Sequence, residues 1–232
     1  MVSNLVAIIL ARGGSKGVPK KNLLNIGKTS LLNHSIDFAV SENIFSKIYV
    51  SSDSDEILKA ASLTGYCEVH KRSKESSNDK AKSEDALREV IKDKGLHSKF
   101  IALIEPTFPF RKSGIIIEML NLLIFENADC CVSVMSIKRN PHNIYTIDEA
   151  KNLKKLFETK KQYYRRQELS EFKQFTNGVY VFKGNHLFNV DKITDGKLVG
   201  LEDDEALDVN IDTIEDVRYA EYIFKNGYSN KK

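Results

Sequence analysis

The chain has 232 residues, which is enough for one large domain with its own core. It is 41% hydrophobic and 29% charged, and 35 Lys and Arg against 32 Asp and Glu leave a net charge of +3. A balance this close to neutral gives no support for a nucleic-acid partner or a membrane partner.

Short apolar runs alternate with helical patterns along most of the chain. The predicted strands cover 5–11, 47–52, 67–70, 99–105, 129–137, 177–182 and 206–212. The predicted helices cover 30–41, 55–65, 82–95, 113–128 and 213–227, with Ser83 and Thr213 as N-caps. This alternation predicts an α/β, Rossmann-like fold, in which a mostly parallel sheet carries helices on both faces.

Residues 138–175 interrupt the alternation. They are polar, basic and aromatic, and they show no sustained apolar period. We interpret them as an excursion, a short hairpin or arm, from a single domain that spans 1–232.

The three cysteines, Cys67, Cys130 and Cys131, have neither zinc-site nor redox-motif spacing. Free thiols suit a reducing compartment, so we expect the protein in the cytoplasm. The longest apolar runs are too short to span a bilayer.

Charge is distributed unevenly along the chain. Residues 1–36 contain no Asp or Glu, whereas residues 198–217 contain eight acidic residues and no Lys or Arg. The first segment suits an anion and the second suits a cation, although solvated surface loops would explain either one alone.

The loop ARGGSKGVPKKN, residues 11–22, follows the first predicted strand. Gly13, Gly14 and Gly17 allow backbone N–H groups to converge on a phosphate. Three cations in the loop are suited to neutralising a polyphosphate: Arg12, Lys16 and Lys21. The spacing matches neither the GxGxxG dinucleotide fingerprint nor a Walker A loop, and 27–29 is interpreted as an ordinary turn.

Asp53 and Asp55 lie between a predicted strand and a predicted helix. Aspartate is a preferred N-cap residue, so helix capping explains this pair better than catalysis does.

The segment ILARGGSKGVPKKN resembles the signature of the acylneuraminate cytidylyltransferases (CMP–sialic acid synthetases), which are related to the CMP–Kdo synthetases. The resemblance continues, in the family's order, through VSSDSDEI (50–57), IEPTFPFR (104–111), RRQEL (165–169), TNGVYVF (176–182) and NIDT (210–213).

The resemblance implies a homodimeric, Mg²⁺-dependent enzyme that joins CTP to a nine-carbon 2-keto acid sugar and releases pyrophosphate. The implied nucleotide contacts are Arg12, Gly13, Gly14, Ser15, Lys16, Lys21, Asn22, Arg72 and Ser83, with Arg72 reading the cytosine. The implied catalytic residues are Arg12, Lys21 and Asp212, and the implied metal ligands are Asp212 and Asn210. The implied sugar contacts are Glu105, Thr107, Arg166 and Asn177, and 138–175 matches the family's dimerisation arm.

Two positions depart from the family pattern. Asn210 stands where members usually carry an aspartate, so it offers an oxygen to Mg²⁺ without a charge. Glu105 stands where sialate enzymes commonly carry glutamine, which points to a relative of sialic acid, such as legionaminic or pseudaminic acid, as the acceptor. A CMP–Kdo synthetase and a catalytically weakened CTP-binding protein are the alternatives.

Overall fold

The computed structural model describes residues 4–15, 17–76, 81–137, 141–157, 172–203 and 206–227. The strands are β1 (Leu5–Leu10), β2 (Asn25–Ile26), β3 (Thr29–Ser30), β4 (Lys47–Ser52), β5 (Glu68–Lys71), β6 (Phe100–Ile104), β7 (Cys130–Ser136), β8 (Tyr145–Ile147), β9 (Leu153–Lys155), β10 (Lys173–Lys183) and β11 (Leu198–Glu202). The helices are α1 (Leu31–Glu42), α2 (Asp55–Leu63), α3 (Ser83–Asp93), α4 (Ile115–Phe125) and α5 (Ile214–Lys225).

Seven strands form one sheet in the order β11-β7-β10-β6-β1-β4-β5. All neighbouring pairs are parallel except those of β10, which runs antiparallel to β6 and to β7. The predicted fold class, a mostly parallel sheet with helices on both faces, is confirmed.

The interior strand β1 is buried on both faces, which explains why it appears in the sequence as a continuous apolar run. Ala7 and Ile9 pack in the cluster that includes residues of α1, α2 and α4. Val6 and Ile8 pack on the opposite face, in the cluster that includes residues of α3. The polypeptide that leaves β1 therefore starts from a rigid strand.

A third apolar cluster joins two segments that are far apart in the chain. Val18, in the loop after β1, and Ile26, in β2, pack with Val209 and Ile211 and with Val217 of α5. This cluster holds the segment just before α5 against the first loop, at the edge of the sheet where the candidate site lies.

The predicted strand over 206–212 is wrong. Among the described residues 206–212 no strand is present, and Ile211 makes a single backbone bond, 2.8 Å from its N–H to the carbonyl of Thr107. The alternating apolar residues of this segment, Leu207, Val209 and Ile211, pack in the third cluster and do not pair with a neighbouring strand. The strand in this part of the chain is β11, which the sequence pattern did not predict.

The caps of two helices differ from expectation as well. Ser83 is the first residue of α3, not its cap; the Asp85 carboxylate accepts a 3.1 Å bond from the N–H of the preceding Lys82. Ser54 caps α2, so neither Asp53 nor Asp55 does. Thr213 caps α5 as predicted.

Residues of the irregular segment form the antiparallel hairpin β8–β9, in agreement with the predicted short hairpin. Residues 158–171, which include Arg166, lie outside the described residues. No described helix is both long enough and apolar enough to cross a bilayer.

Candidate functional site

The candidate site lies at the carboxyl ends of β1, β4 and β6. These strands are neighbours and run parallel, so the loops that follow them emerge at one edge of the sheet. In open α/β sheets, this edge is where ligands bind.

Hydrogen bonds hold the backbone of the loop after β1 in place. The N–H of Gly13 donates to Asp53 Oδ1 at 2.7 Å, and Asn22 Nδ2 donates to the carbonyl of Arg12 at 2.8 Å. A Cβ on Gly13 would lie 2.7 Å from Cβ of Ser54, so this position needs a glycine. Asn22, predicted as a nucleotide contact, is buried and supports the backbone of the loop.

Lys21 links this loop to the segment before α5. Its Nζ donates to the carbonyl of Ile211 at 2.7 Å and to Oδ1 of Asp212 at 2.9 Å. The other carboxylate oxygen of Asp212 accepts from Nδ2 of Asn210 at 2.6 Å. The loop comes so close that a Cβ on Gly17 would overlap the carbonyl oxygen of Asp212. Two of the residues predicted to be catalytic therefore lie together.

Arg72 follows β5 and reaches back across the end of β4. Its Nε donates to Ser51 Oγ at 3.0 Å, and its Nη2 donates to the Ser51 carbonyl at 2.8 Å. Burial lowers the pKa of the Arg72 guanidinium, and the nearby carboxylates of Asp53, Glu105 and Glu89 counteract that effect. The guanidinium remains a cation at neutral pH, and its position is fixed by contacts with a strand end.

Glu105 follows β6 and lies among cations. Burial raises the pKa of Glu105 to about 7, although the charges of Arg111, Arg72 and Lys21 act in the opposite direction. Arg111 is buried beneath it, with Cζ 5.3 Å from the centroid of the Phe38 ring and Nη2 donating to the Glu105 carbonyl. Burial lowers the pKa of Arg111 to about 9. The raised pKa favours the protonated form of the Glu105 carboxyl at pH values where an ordinary glutamate is ionised.

Two other residues predicted to contact a sugar, Thr107 and Asn177, lie near Glu105. The N–H of Glu105 donates to the Gly178 carbonyl at 3.2 Å, which brings the adjacent Asn177 to the same region. Asn177 has a φ of 58°, in a part of β10 where the register shifts. Thr107 accepts the backbone bond from Ile211 through its carbonyl, so the loop after β6 also contacts the segment that carries Asp212.

For the other predicted site residues within the described ranges, the structure gives their exposure or their neighbours. Arg12 and Gly14 are exposed on the first loop, and Ser15 is partly buried there. Glu84, the neighbour of Ser83, is close enough to raise the pKa of Glu105, so the start of α3 faces the site. Lys16, like Arg166, lies outside the described part of the chain.

Two supporting residues were not predicted. Asp53 anchors the first loop through Gly13, and Ser51 anchors Arg72. The sequence signal for both is the polar run SSDS at 51–54, placed directly after a buried strand. Polar residues at a strand end often belong to a site, but their partners depend on the strand order.

Fold and site together define an α/β protein in which a glycine-rich, cationic loop follows the interior strand β1, an arrangement suited to nucleotide phosphates. A family model described as cytidylyltransferase matches residues 6–229. The chain therefore belongs to the cytidylyltransferase family and is a nucleotidyltransferase.

Individual relatives agree with this membership. The chain is 27% identical over 230 residues to post-translational flagellin modification protein B of Campylobacter coli, covering 97% of this chain and 96% of that one. It is 37% identical over 134 residues to N-acylneuraminate cytidylyltransferase A of Danio rerio, covering 57% of this chain but only 30% of that longer protein. A solved structure of CMP–2-keto-3-deoxy-manno-octonic acid synthetase complexed with CTP has the same fold, with a TM-score of 0.73 at 15% identity over 96% of this chain and 99% of that one.

Proposed function

We propose that the protein transfers the cytidylyl group of CTP to a nonulosonic acid, giving the CMP-sugar and pyrophosphate. The observation that carries this proposal is the contact of Lys21 with Asp212, which brings a phosphate-binding loop and a carboxylate to one edge of the sheet. In the reaction, the anomeric oxygen forms a bond to the α-phosphorus while the bond to the bridging oxygen breaks. Pyrophosphate leaves with that electron pair, and the hydroxyl proton passes to solvent.

The first loop binds the phosphates in this proposal. Arg12, Lys16 and Lys21 neutralise the triphosphate, and the backbone of Gly13 and Gly14, with Ser15, supplies hydrogen-bond donors. Phosphoryl transfer depends chiefly on positioning and charge neutralisation, which a loop anchored at Asp53 and Asn22 is suited to provide.

The cytosine end of CTP is bound by Arg72, with Ser83 at the start of α3 as a further nucleotide contact. Asn22 acts on the nucleotide through the loop, because its amide is committed to the Arg12 carbonyl. The opposite assignment, with the base at Asp212, would place an uncharged ring between carboxylates and leave the triphosphate away from its cations.

A magnesium ion fits the carboxylate end of the site. Oδ1 of Asn210 is buried and has no hydrogen-bond partner in the described part of the chain, and it lies beside the Asp212 carboxylate. Hard oxygen ligands of this kind suit Mg²⁺, so Asp212 and Asn210 would hold it. When bound, the ion would polarise the α-phosphate and offset its charge. Lys21 and Asn210 hold the carboxylate in place.

The acceptor sugar is bound by Glu105, Thr107 and Asn177, together with Arg166. Glu105 is a carboxyl group with a raised pKa, so it repels a sugar carboxylate less than an ordinary glutamate would and still accepts from hydroxyl or amine donors. The relative covered almost end to end is named for flagellin modification. Both points favour a sialic-acid relative, such as legionaminic or pseudaminic acid, over N-acetylneuraminate.

The protein acts as a homodimer in this proposal, as one domain over 1–232 whose arm, 138–175, contacts the partner. The β8–β9 hairpin exposes apolar side chains on its strands and directly beside them: Ile144, Tyr145, Ile147, Leu153, Leu156 and Phe157. A cytoplasmic location is proposed because Cys67, Cys130 and Cys131 are all free thiols.

A pyrophosphate-release assay tests the function, with CTP, Mg²⁺ and a panel of nine-carbon acids beside the eight-carbon Kdo. We expect turnover with at least one nine-carbon acid and little with Kdo. Preference for Kdo would identify a CMP–Kdo synthetase. CTP binding without turnover on any acid would favour the weakened binding protein, for which Asn210 is the argument. Comparable turnover on N-acetylneuraminate would remove the reason for choosing a relative.

A further inference from the structure

A chain of hydrogen bonds runs from Arg72 into the protein, away from the candidate site. Nε of Arg72 lies 3.0 Å from Ser51 Oγ, which lies 3.1 Å from Nδ1 of His70. Nε2 of His70 lies 3.2 Å from Oδ2 of Asp93 on α3. Ser51 is 0% exposed and His70 is 6% exposed, so the middle of the chain is shielded from water.

One assignment of donors and acceptors satisfies all of these groups. Nε of Arg72 can only donate, so the Ser51 hydroxyl accepts there and can use its own proton toward an unprotonated Nδ1 of His70. In that tautomer Nε2 carries the proton that is donated to Asp93. Donors and acceptors match along the whole chain when the imidazole is neutral.

Helix α3 also holds the segment that follows Arg72. The Glu89 carboxylate accepts from the N–H of Ser73 at 2.7 Å, from the Ser73 hydroxyl at 3.0 Å and from the Ser76 hydroxyl. Glu89 and Asp93 are four residues apart and share one face of the helix. One face of α3 therefore fixes Arg72 from both sides, through His70 and through the loop at 73–76.

Two other interpretations of this cluster fail on the same contacts. The order Asp93–His70–Ser51 resembles a nucleophilic triad, but Ser51 is fully buried and its oxygen is occupied by Arg72. His70, Glu89 and Asp93 are spaced closely enough for a metal ion. However, both nitrogens of His70 and both oxygens of Glu89 already have hydrogen-bond partners.

We propose that Ser51, His70 and Asp93 are positioning residues that aim the Arg72 guanidinium at the base and set the preference for CTP over UTP. The inference rests on the proposed function through one point, the role of Arg72 in reading the base. A guanidinium offers only donors, and cytosine presents acceptors at O2 and N3, whereas uracil presents a donor at N3. Discrimination between cytosine and uracil depends on the angle of the guanidinium, because a rotated guanidinium would no longer align its N–H groups with O2 and N3 of cytosine.

The test is calorimetric titration of CTP and of UTP, with Mg²⁺ and without sugar, so that it does not depend on the acceptor. Ser51→Ala and His70→Leu remove the relay, and we expect each to reduce the CTP-over-UTP affinity ratio about tenfold, the size of one hydrogen bond to a charged group. His70→Asn keeps an acceptor at the Nδ1 position and should retain most of the preference. Melting curves show whether each variant is folded.

Asp93→Ala provides a variant that should fold in any case, because Asp93 is exposed near the end of α3. We expect a smaller loss of preference, about threefold, since only the outer bond of the chain is removed. Lys92→Ala, on the adjacent exposed position, is its matched control and should leave the ratio unchanged.

The outcomes separate the two proposals. If wild type does not bind CTP, the proposed function is contradicted. If Arg72→Lys leaves the CTP-over-UTP ratio unchanged, Arg72 does not read the base, and this inference fails with that role. If Arg72→Lys removes the preference while folded Ser51→Ala, His70→Leu and Asp93→Ala keep it, the positioning proposal alone is overturned.

Discussion

Lys21 Nζ lies 2.9 Å from Asp212 Oδ1, although the two residues are separated by 191 positions in the chain. The lysine side chain is mostly buried and the carboxylate is mostly exposed, so the cation is the better-fixed partner. Because Lys21 also bonds the Ile211 carbonyl, it remains near the site when a metal or a phosphate competes for Asp212. The cationic first loop and the acidic segment before α5 therefore meet at this pair.

Replacing Lys21 should disable catalysis and leave the protein folded. We expect Lys21→Met to reduce kcat/KM for CTP about 100-fold or more, the usual effect of losing one donor to developing charge. The protein should remain folded, because the partly exposed ion pair contributes at most about 1 kcal/mol and the lost bond to the Ile211 carbonyl about 1–3 kcal/mol. Lys28→Met, in the exposed β2–β3 turn, is the control. Equal rates in both variants would contradict a phosphate role for Lys21.

Converting Asn210 to aspartate should strengthen metal binding. The change replaces the amide that donates to Asp212 by a second carboxylate, which adds charge to the proposed ligand set. We expect Asn210→Asp to lower the Mg²⁺ concentration for half-maximal rate about threefold or leave it unchanged. Without Mg²⁺, the like charges should lower the melting temperature slightly. Loss of turnover at saturating Mg²⁺ would mean that the metal site is elsewhere.

The raised pKa of Glu105 should make stability depend on pH in a defined window. Between 4.5, the ordinary value, and about 7, the folded protein keeps a proton that the unfolded chain has lost. Stability from this group is therefore present below pH 4.5 and declines as pH rises to 7. Glu105→Gln cannot ionise, so relative to wild type it should gain on the order of 1–3 kcal/mol in free energy of unfolding from pH 5 to 8.

Chemical denaturation at several pH values measures this difference. Glu149→Gln, at an exposed position in the β8–β9 turn, serves as the control and should track wild type across the range. If Glu105→Gln increases the free energy of unfolding by the same amount at every pH, the Glu105 carboxyl titrates normally.

Charges on the β8–β9 hairpin should dissociate the proposed dimer. Ile147 and Leu153 are cross-strand partners and are 63% and 65% exposed. Ile147→Asp or Leu153→Asp would bury a carboxylate in the interface, so we expect a monomer in sedimentation velocity. Phe125→Asp alters an apolar residue that is 85% exposed on α4 and should leave the dimer intact. A monomeric wild-type protein would refute the dimer outright.

Most of the sheet could be predicted from local pattern, because β1, β4 and β6 are short apolar runs bounded by polar or breaking residues. The 206–212 segment could not, since a period of two shows only that one side of an extended segment is buried. Whether Val209 and Ile211 enter a ladder or a cluster depends on what lies beside them. The neighbours of this segment are set by the tertiary fold and cannot be inferred from the adjacent residues of the sequence.

In the candidate site as well, local features could be predicted from the sequence, whereas the contacts between strands could not. The composition of the first loop and the acidic character of the chain's far end were visible in the sequence, and the structure brings Lys21 and Asp212 together. The bonds that Arg72 donates to Ser51 and that Gly13 donates to Asp53 join the ends of neighbouring strands. They follow from strand order, which a single sequence does not specify.

The third apolar cluster forms the site from segments that are far apart in the chain. Val18 and Ile26 meet Val209, Ile211 and Val217 only when the two ends of the chain have come together. The parallel sheet does not require this cluster, since β1 pairs with β4 and β6 independently of it. Loop-closure entropy grows with chain separation, so we expect the cleft to become organised after the strands beneath it have paired.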